Sequence, residues 1–204
     1  IKYHERRLVI AREDGNRRGE GAALNNLGLA WAALGDLHQA ADYHEQALVI
    51  DREIGDRRGE GNALGNLGLA LANLGMPHMA IEYHERRLVI TCEIGDRRGE
   101  GNALGGLGLA WRDLGDLDRA ICYFDQWLSI AREIEDRRGE GIALGGLGLA
   151  WGDLGDLDQS IRFYDQWLSI AREIGDRRSE GVALGGLGQA WAKLGVVEKA
   201  EQYY

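Results

Sequence analysis

The sequence predicts an all-α fold, an array of antiparallel helix hairpins, on three observations. A five-residue phrase recurs every 40 residues: Asn16-Arg17-Arg18-Gly19-Glu20 returns at Asp56 to Glu60, Asp96 to Glu100, Asp136 to Glu140 and, with one change, Asp176 to Glu180, with no insertion or deletion between copies. Inside each copy the apolar residues keep the three-to-four spacing of an amphipathic helix. A glycine followed by aspartate ends one apolar stripe and opens the next, as at Gly35-Asp36 and Gly55-Asp56. Segments 101–140 and 141–180 share 31 of their 40 residues. A strict period of this length marks a stack of one supersecondary unit, because a lone hairpin cannot bury its stripe and neighbours stacked at a fixed interval can.

Residues 1–20 carry only the second helix of a hairpin, helix B, and form a partial repeat. Full repeats follow at 21–60, 61–100, 101–140 and 141–180, and 181–204 is a second partial repeat; the whole of 1–204 reads as one solenoid. Within 21–60, Leu24, Leu27, Trp31 and Leu34 draw helix A. Gly35 supplies a left-handed stop and Asp36 an acceptor for the next free N–H groups. Leu37, Ala40, Ala41, Ala47, Leu48 and Ile54 then draw helix B, and Gly55-Asp56 repeats the stop and cap. The one proline, Pro77, falls in the first turn of a helix B, where its missing N–H has no helical partner to lose.

Composition narrows the function. Twenty-four Lys plus Arg stand against 33 Asp plus Glu, a formal charge of −9, which argues against nucleic acid and anionic membrane as partners and favours basic ones. No run of about 18 apolar residues exists to cross a bilayer. Cys92 and Cys122 lie far apart, without CxxC or Cys/His ligand spacing, so neither a disulfide framework nor a structural zinc site is expected, and a reducing, cytoplasmic setting is. The chain does not begin with Met and reads as a fragment or trimmed chain. Its 31 glycines against one proline demand an ordered role. Helix A of 141–180 alone carries Gly141, Gly145, Gly146, Gly148 and Gly152. At about 1 kcal/mol each, they cost that helix about 5 kcal/mol of intrinsic propensity, so packing of Leu144, Leu147, Trp151 and Leu154 must hold it.

A family resemblance emerges at Leu27-Gly28, Trp31, Gly35 and Ala40. The same signature recurs at Leu67-Gly68, Leu71, Gly75, Ala80; at Leu107-Gly108, Trp111, Gly115, Ala120; at Leu147-Gly148, Trp151, Gly155, Ser160; and at Leu187-Gly188, Trp191, Gly195, Ala200. This resembles the tetratricopeptide repeat. The unit departs from the common 34-residue form by a longer helix B without the usual closing proline, where Val49 to Ile54 simply run on. With Gly55 to Leu64 it looks like the Partner of Inscuteable subgroup and similar bacterial arrays. The resemblance implies a right-handed superhelix whose concave wall, built of A helices, binds a peptide or partner protein. It also makes Gly148 a packing glycine; the remaining A-helix glycines are expected to be drift between near-identical copies.

On helix A, Ala22, Asn26, Leu29 and Ala33 fall within about 40° of one another, turned away from the core leucines. The same face carries Asn62, Asn66, Leu69 and Asn73; Asn102, Gly106, Leu109 and Asp113; Ile142, Gly146, Leu149 and Asp153; and Val182, Gly186, Gln189 and Lys193. Leu29, Leu69, Leu109 and Leu149 form a leucine ladder where a solvated helix would carry Lys or Glu, with amides at one end and carboxylates towards the other. That pattern fits a groove for an extended or helical segment. The resemblance implies a backbone clamp for Asn26 and Asn66, absent where Gly106, Gly146 and Gly186 replace them.

Other candidates read as structural. The Arg-Arg pairs, each beside acids such as Asp56 and Glu60, suit a solvated ion-pair network better than an anion site. His4, His44 and His84, one per helix B, lie on successive hairpins about 10 Å apart, too far to share a metal, and are expected to pack. Trp127 and Trp167, standing where other repeats have Ala47 and Arg87, are expected to pack between helices. Asp113 and Asp153 lie on an open wall, with no pocket to tune a pKa for acid–base catalysis. No nucleophile elbow, P-loop or dinucleotide fingerprint appears, since Leu144 to Gly148 is mid-helix. The expectation is therefore a protein that is not an enzyme and takes no cofactor or metal, acting as a scaffold for a peptide or protein. The alternatives are head-to-tail self-assembly through unfinished terminal repeats, giving a homo-oligomer, and service as the sensor or regulatory arm of a larger multidomain protein.

Overall fold

The computed structural model describes residues 1–203. Among them eleven α-helices follow one another with no strand: α1 (Lys2–Glu13), α2 (Arg17–Ala33), α3 (Leu37–Glu53), α4 (Arg57–Asn73), α5 (Pro77–Glu93), α6 (Arg97–Asp113), α7 (Leu117–Glu133), α8 (Arg137–Leu154), α9 (Leu157–Glu173), α10 (Arg177–Lys193) and α11 (Val197–Glu201). Even-numbered helices are the A helices and odd-numbered ones the B helices. Gly15, Gly35, Gly55 and their counterparts hold positive φ in the links, the conformation in which a Cβ would be strained. One link departs from this rule, with Glu135 at φ 55°.

The caps set the phase of the repeat. Asn16 Oδ1 accepts from Gly19 N at 2.8 Å, and Asp56 Oδ1 accepts from Gly59 N at 2.9 Å, so each A helix starts at the Arg-Arg pair. Asp36, Asp116 and Asp156 cap B helices in the same way. At α5 the aspartate is replaced by Met76, which makes no side-chain cap, and Pro77 opens the helix.

The chain forms two compact units, Ile1–Ala110 and Trp111–Tyr204. In the first, Leu24, Leu27, Leu64, Leu67 and Leu71 of the A helices are buried with Leu48, Ile81 and Ile90 of the B helices. In the second, Phe124, Leu128, Leu144, Leu147 and Ile170 form the core, with Trp111, Trp127, Trp151 and Trp167 packed against it, and Tyr164, Leu168 and Leu187 continue it towards α11. Trp127 and Trp167 thus pack as expected.

Much of the glycine surplus is a packing feature rather than the drift expected, although a Cβ on Gly181 or Gly185 would meet nothing within 4 Å. Beyond the first turn, each A-helix glycine that meets a neighbour receives a B-helix side chain in the space a Cβ would fill. His44 lies over Gly28, His84 over both Gly68 and Gly106, Phe124 over Gly146, and Tyr164 over both Gly148 and Gly186. A second row follows residue 47 and its equivalents: Arg87 fills the space over Gly65, and Trp167 that over Gly141 and Gly145. Where that position is the small Ala47, the A helix carries Asn25 in place of glycine. The sizes are complementary across the pair, which keeps the interior at native packing density.

Candidate functional site

The leucine ladder lies on the surface in the first unit. Leu29, Leu69 and Leu109 are 47%, 51% and 40% exposed, although each belongs to a helix whose opposite stripe is fully buried. In the second unit Leu149 is half-buried. Asn62, Asn73 and Asn102 are exposed and Asn26 is half-buried.

In the first unit Asn26 and Asn62 line a cavity of about 200 Å³ with Arg18, Asn25, Asp51 and Asp56. Asn66 is drawn inward instead: its Nδ2 donates to Asn25 Oδ1 at 3.0 Å, and the same oxygen lies 2.7 Å from His44 Nδ1. Asn25 therefore ties an A helix to its own B helix and to the next A helix. Burial pulls His44 down to about 4, so near neutral pH its ring is uncharged and Nδ1–H donates to Asn25. His84 is likewise held down to about 4 by burial, with Arg87 adding to the effect. His44 and His84 are packing residues.

Asp51 is the unforeseen member of this cavity. It is only 6% exposed, and its carboxyl reaches so close to α2 and α4 that a Cβ on Gly21 or Gly59 would meet it at 2.7 Å. Burial pushes it up to about 6, with Asp56 and Glu60 adding repulsion and Arg18 partly offsetting them. Arg18 itself bonds Asp56 Oδ2 through Nε at 2.9 Å.

The second unit gathers Leu149, Asp153, Gln189 and Lys193 around a cavity of about 150 Å³, together with Arg112 and Tyr164. Arg112 Nε donates to Asp153 Oδ2 at 2.6 Å and its Nη1 lies 3.7 Å from Asp113. Asp113 and Asp153 thus share a guanidinium, and Asp153 is the member that lines the cavity. Burial raises the Tyr164 hydroxyl, with Asp153 adding and Arg112 opposing.

The helix starts form ion-pair clusters. Arg12 and Arg17 both grip Glu20, at 2.8 and 2.6 Å, and Arg17 reaches Glu53. Arg52 and Arg57 repeat this on Glu60, and Arg132 and Arg137 on Glu140. These arginines are engaged in side-chain pairs, as the network reading expects.

Sequence reasoning missed Asp51, Asn25 and Arg112. The signal for each is a break in the period: residues 11, 91, 131 and 171 are Ala, Thr, Ala and Ala where 51 is Asp, residues 65, 105, 145 and 185 are Gly where 25 is Asn, and residues 32, 72, 152 and 192 are Ala, Ala, Gly and Ala where 112 is Arg.

The profile of the tetratricopeptide repeat matches residues 19–92. The fold is that of a tetratricopeptide-repeat solenoid. The sequence matches no curated protein. Among solved structures, BtubC (BKLC) from P. vanneervenii is similar over 99% of this chain and 85% of its own, at 18% identity and TM-score 0.83. A Rap protein complexed with competence and sporulation factor is similar over 91% of this chain and 52% of its own, at 16% identity and TM-score 0.83. A signal transduction ATPase with numerous domains from Pyrococcus horikoshii, which has a tetratricopeptide repeat sensor, is similar over 90% of this chain and 29% of its own, at 19% identity and TM-score 0.75. No helix among the described residues is long and apolar enough to cross a membrane.

Proposed function

We propose that this chain is a non-catalytic interaction scaffold that binds a peptide or partner protein along its A-helix face. The observation that carries the reading is the exposed leucine row, Leu29, Leu69 and Leu109. Exposed leucines repeated at one register, beside polar groups that can fix orientation, suit an apolar segment with hydrogen-bonding ends. Asn26, Asn62, Asn73 and Asn102 supply the polar flank in the first unit, beside Asn66, whose amide is tied to Asn25; Leu149, Asp113, Asp153, Gln189 and Lys193 supply the contacts in the second. The array is of an extended forty-residue type that resembles the Partner of Inscuteable subgroup and similar bacterial arrays. The Rap complex, in which a protein of this fold is bound to competence and sporulation factor, supports a binding role.

A second reading, the sensor arm of a larger protein, is favoured by the Pyrococcus horikoshii protein, whose tetratricopeptide repeats are named a sensor. Both readings need the same face to engage a ligand.

Quantitative capture with Leu69→Glu/Leu109→Glu tests the proposal, with Val49→Glu/Val89→Glu as the control, since both valines are exposed on B helices. Bound proteins should be lost from the ladder variant and kept by the control. Equal capture by wild type and ladder variant would remove the groove.

A further inference from the structure

We infer that the cavity beneath Asn26 and Asn62 is a subsite for one cationic side chain of a bound peptide or protein, an ammonium or guanidinium, with Asp51 as its counter-ion. The inference rests on the scaffold reading and names a chemical requirement that reading leaves open.

Packing does not explain the carboxylate. At the equivalent place Ala11, Ala131 and Ala171 fill the same buried position without a polar atom, and Thr91 satisfies its hydroxyl on the carbonyls of Arg87 and Leu88, at 3.1 and 3.0 Å. Asp51 is as buried as these, yet among the described residues its carboxyl is held by no hydrogen bond or ion pair, only by the charges of Asp56, Glu60 and Arg18 around it. A buried carboxylate without a partner is costly, and such groups are ordinarily paired. Arg18, whose charge acts on Asp51, is held by Asp56 at 2.9 Å. Asp51 instead faces a cavity of about 200 Å³, room for an ammonium or a guanidinium with part of its stem.

The lining selects the ligand. Asp51 and Asp56 offer carboxylate oxygens, and the side-chain amides of Asn26 and Asn62 offer further acceptors. An N–H-bearing cation can satisfy several of these at once through charge-assisted hydrogen bonds. An anion would meet two carboxylates. A metal ion lacks its ligands, because no group of three or more His, Cys, Asp or Glu among the described residues could hold one. The chain's charge of −9 favours the approach of a basic partner, most strongly at low ionic strength.

The test is an NMR titration of the chain, following the side-chain amide signals of Asn25, Asn26 and Asn62. The probes are N-acetyl-lysine amide and N-acetyl-arginine amide, with N-acetyl-norleucine amide as the uncharged control. Saturable shifts with at least one cationic probe are expected, none with norleucine amide, and at least tenfold weaker binding in Asp51→Thr. That variant copies Thr91, so the fold already tolerates it. The lysine and arginine arms decide which head group is preferred. Absence of saturation with both cations, equal shifts from norleucine amide, or undiminished binding in Asp51→Thr would overturn the inference. Leu69→Glu/Leu109→Glu leaves the cavity lining untouched, so loss of partner capture in that variant with intact probe binding separates failure of one reading from failure of the other.

Discussion

Asp51 and the two buried histidines give the chain opposing responses to pH. Asp51 is pushed up to about 6 from an ordinary 3.8, so the folded chain holds that proton more tightly than the unfolded one. Its carboxyl therefore favours the fold below about pH 4 and opposes it progressively as pH rises through 6. Asp51→Thr should gain about 3 kcal/mol at pH 7 by urea unfolding, and the gain should vanish below about pH 4. His44 and His84 run the other way. Both fall from 6.5 to about 4 in the fold, so the stability they supply is full above pH 6.5 and is lost as pH falls towards 4. In Asp51→Thr the histidine effect stands uncompensated, and its stability should fall more steeply from pH 7 to pH 4 than that of wild type. Glu135 is a separate case: a side chain at φ 55° where the other helix links place glycine. Glu135→Gly should raise stability by about 1 kcal/mol, read from the same unfolding curves.

At the scale of the element, the A helices are poor helices by propensity and are kept by what lies over their glycines. One substitution at two equivalent places separates the two contributions. At Gly145 a new Cβ would sit 2.6 Å from the Trp167 ring, whereas at Gly185 it would meet nothing within 4 Å. Gly145→Ala should therefore destabilise by about 1–3 kcal/mol through overpacking, outweighing its propensity gain. Gly185→Ala should stabilise by up to about 1 kcal/mol. Thermal unfolding of the two variants beside wild type measures both signs. The same size rule links Asn25 with Ala47 and Gly145 with Trp167: a large A-helix residue faces a small B-helix one, and the reverse. Helix and cap positions were legible because spacing and Gly-Asp pairs act within a few residues. The size pairing was not, because its members lie about 20 residues apart in sequence and meet only when the hairpin closes.

For the molecule as a whole, a forty-residue period makes the shared architecture easy to read and the function hard to read. The helix order follows from features that every copy repeats, and the leucine ladder from one that four of the five A helices carry. Asp51, Asn25 and Arg112 are features of one copy each, and what they meet lies on other helices: Asp51 reaches Gly21 and Gly59, Asn25 meets His44 and Asn66, and Arg112 meets Asp153. An alternation of apolar and polar residues identifies a surface, but a cavity needs the neighbouring helices in place before its lining can be known. The central claim concerns the surface that the copies share. Capture by the wild-type chain, compared quantitatively with Leu69→Glu/Leu109→Glu and with Val49→Glu/Val89→Glu, all three first shown to be equally helical and folded, tests it most directly. The ladder variant alone should lose its bound partner; retention of that partner by the ladder variant would contradict a binding role for the leucine row.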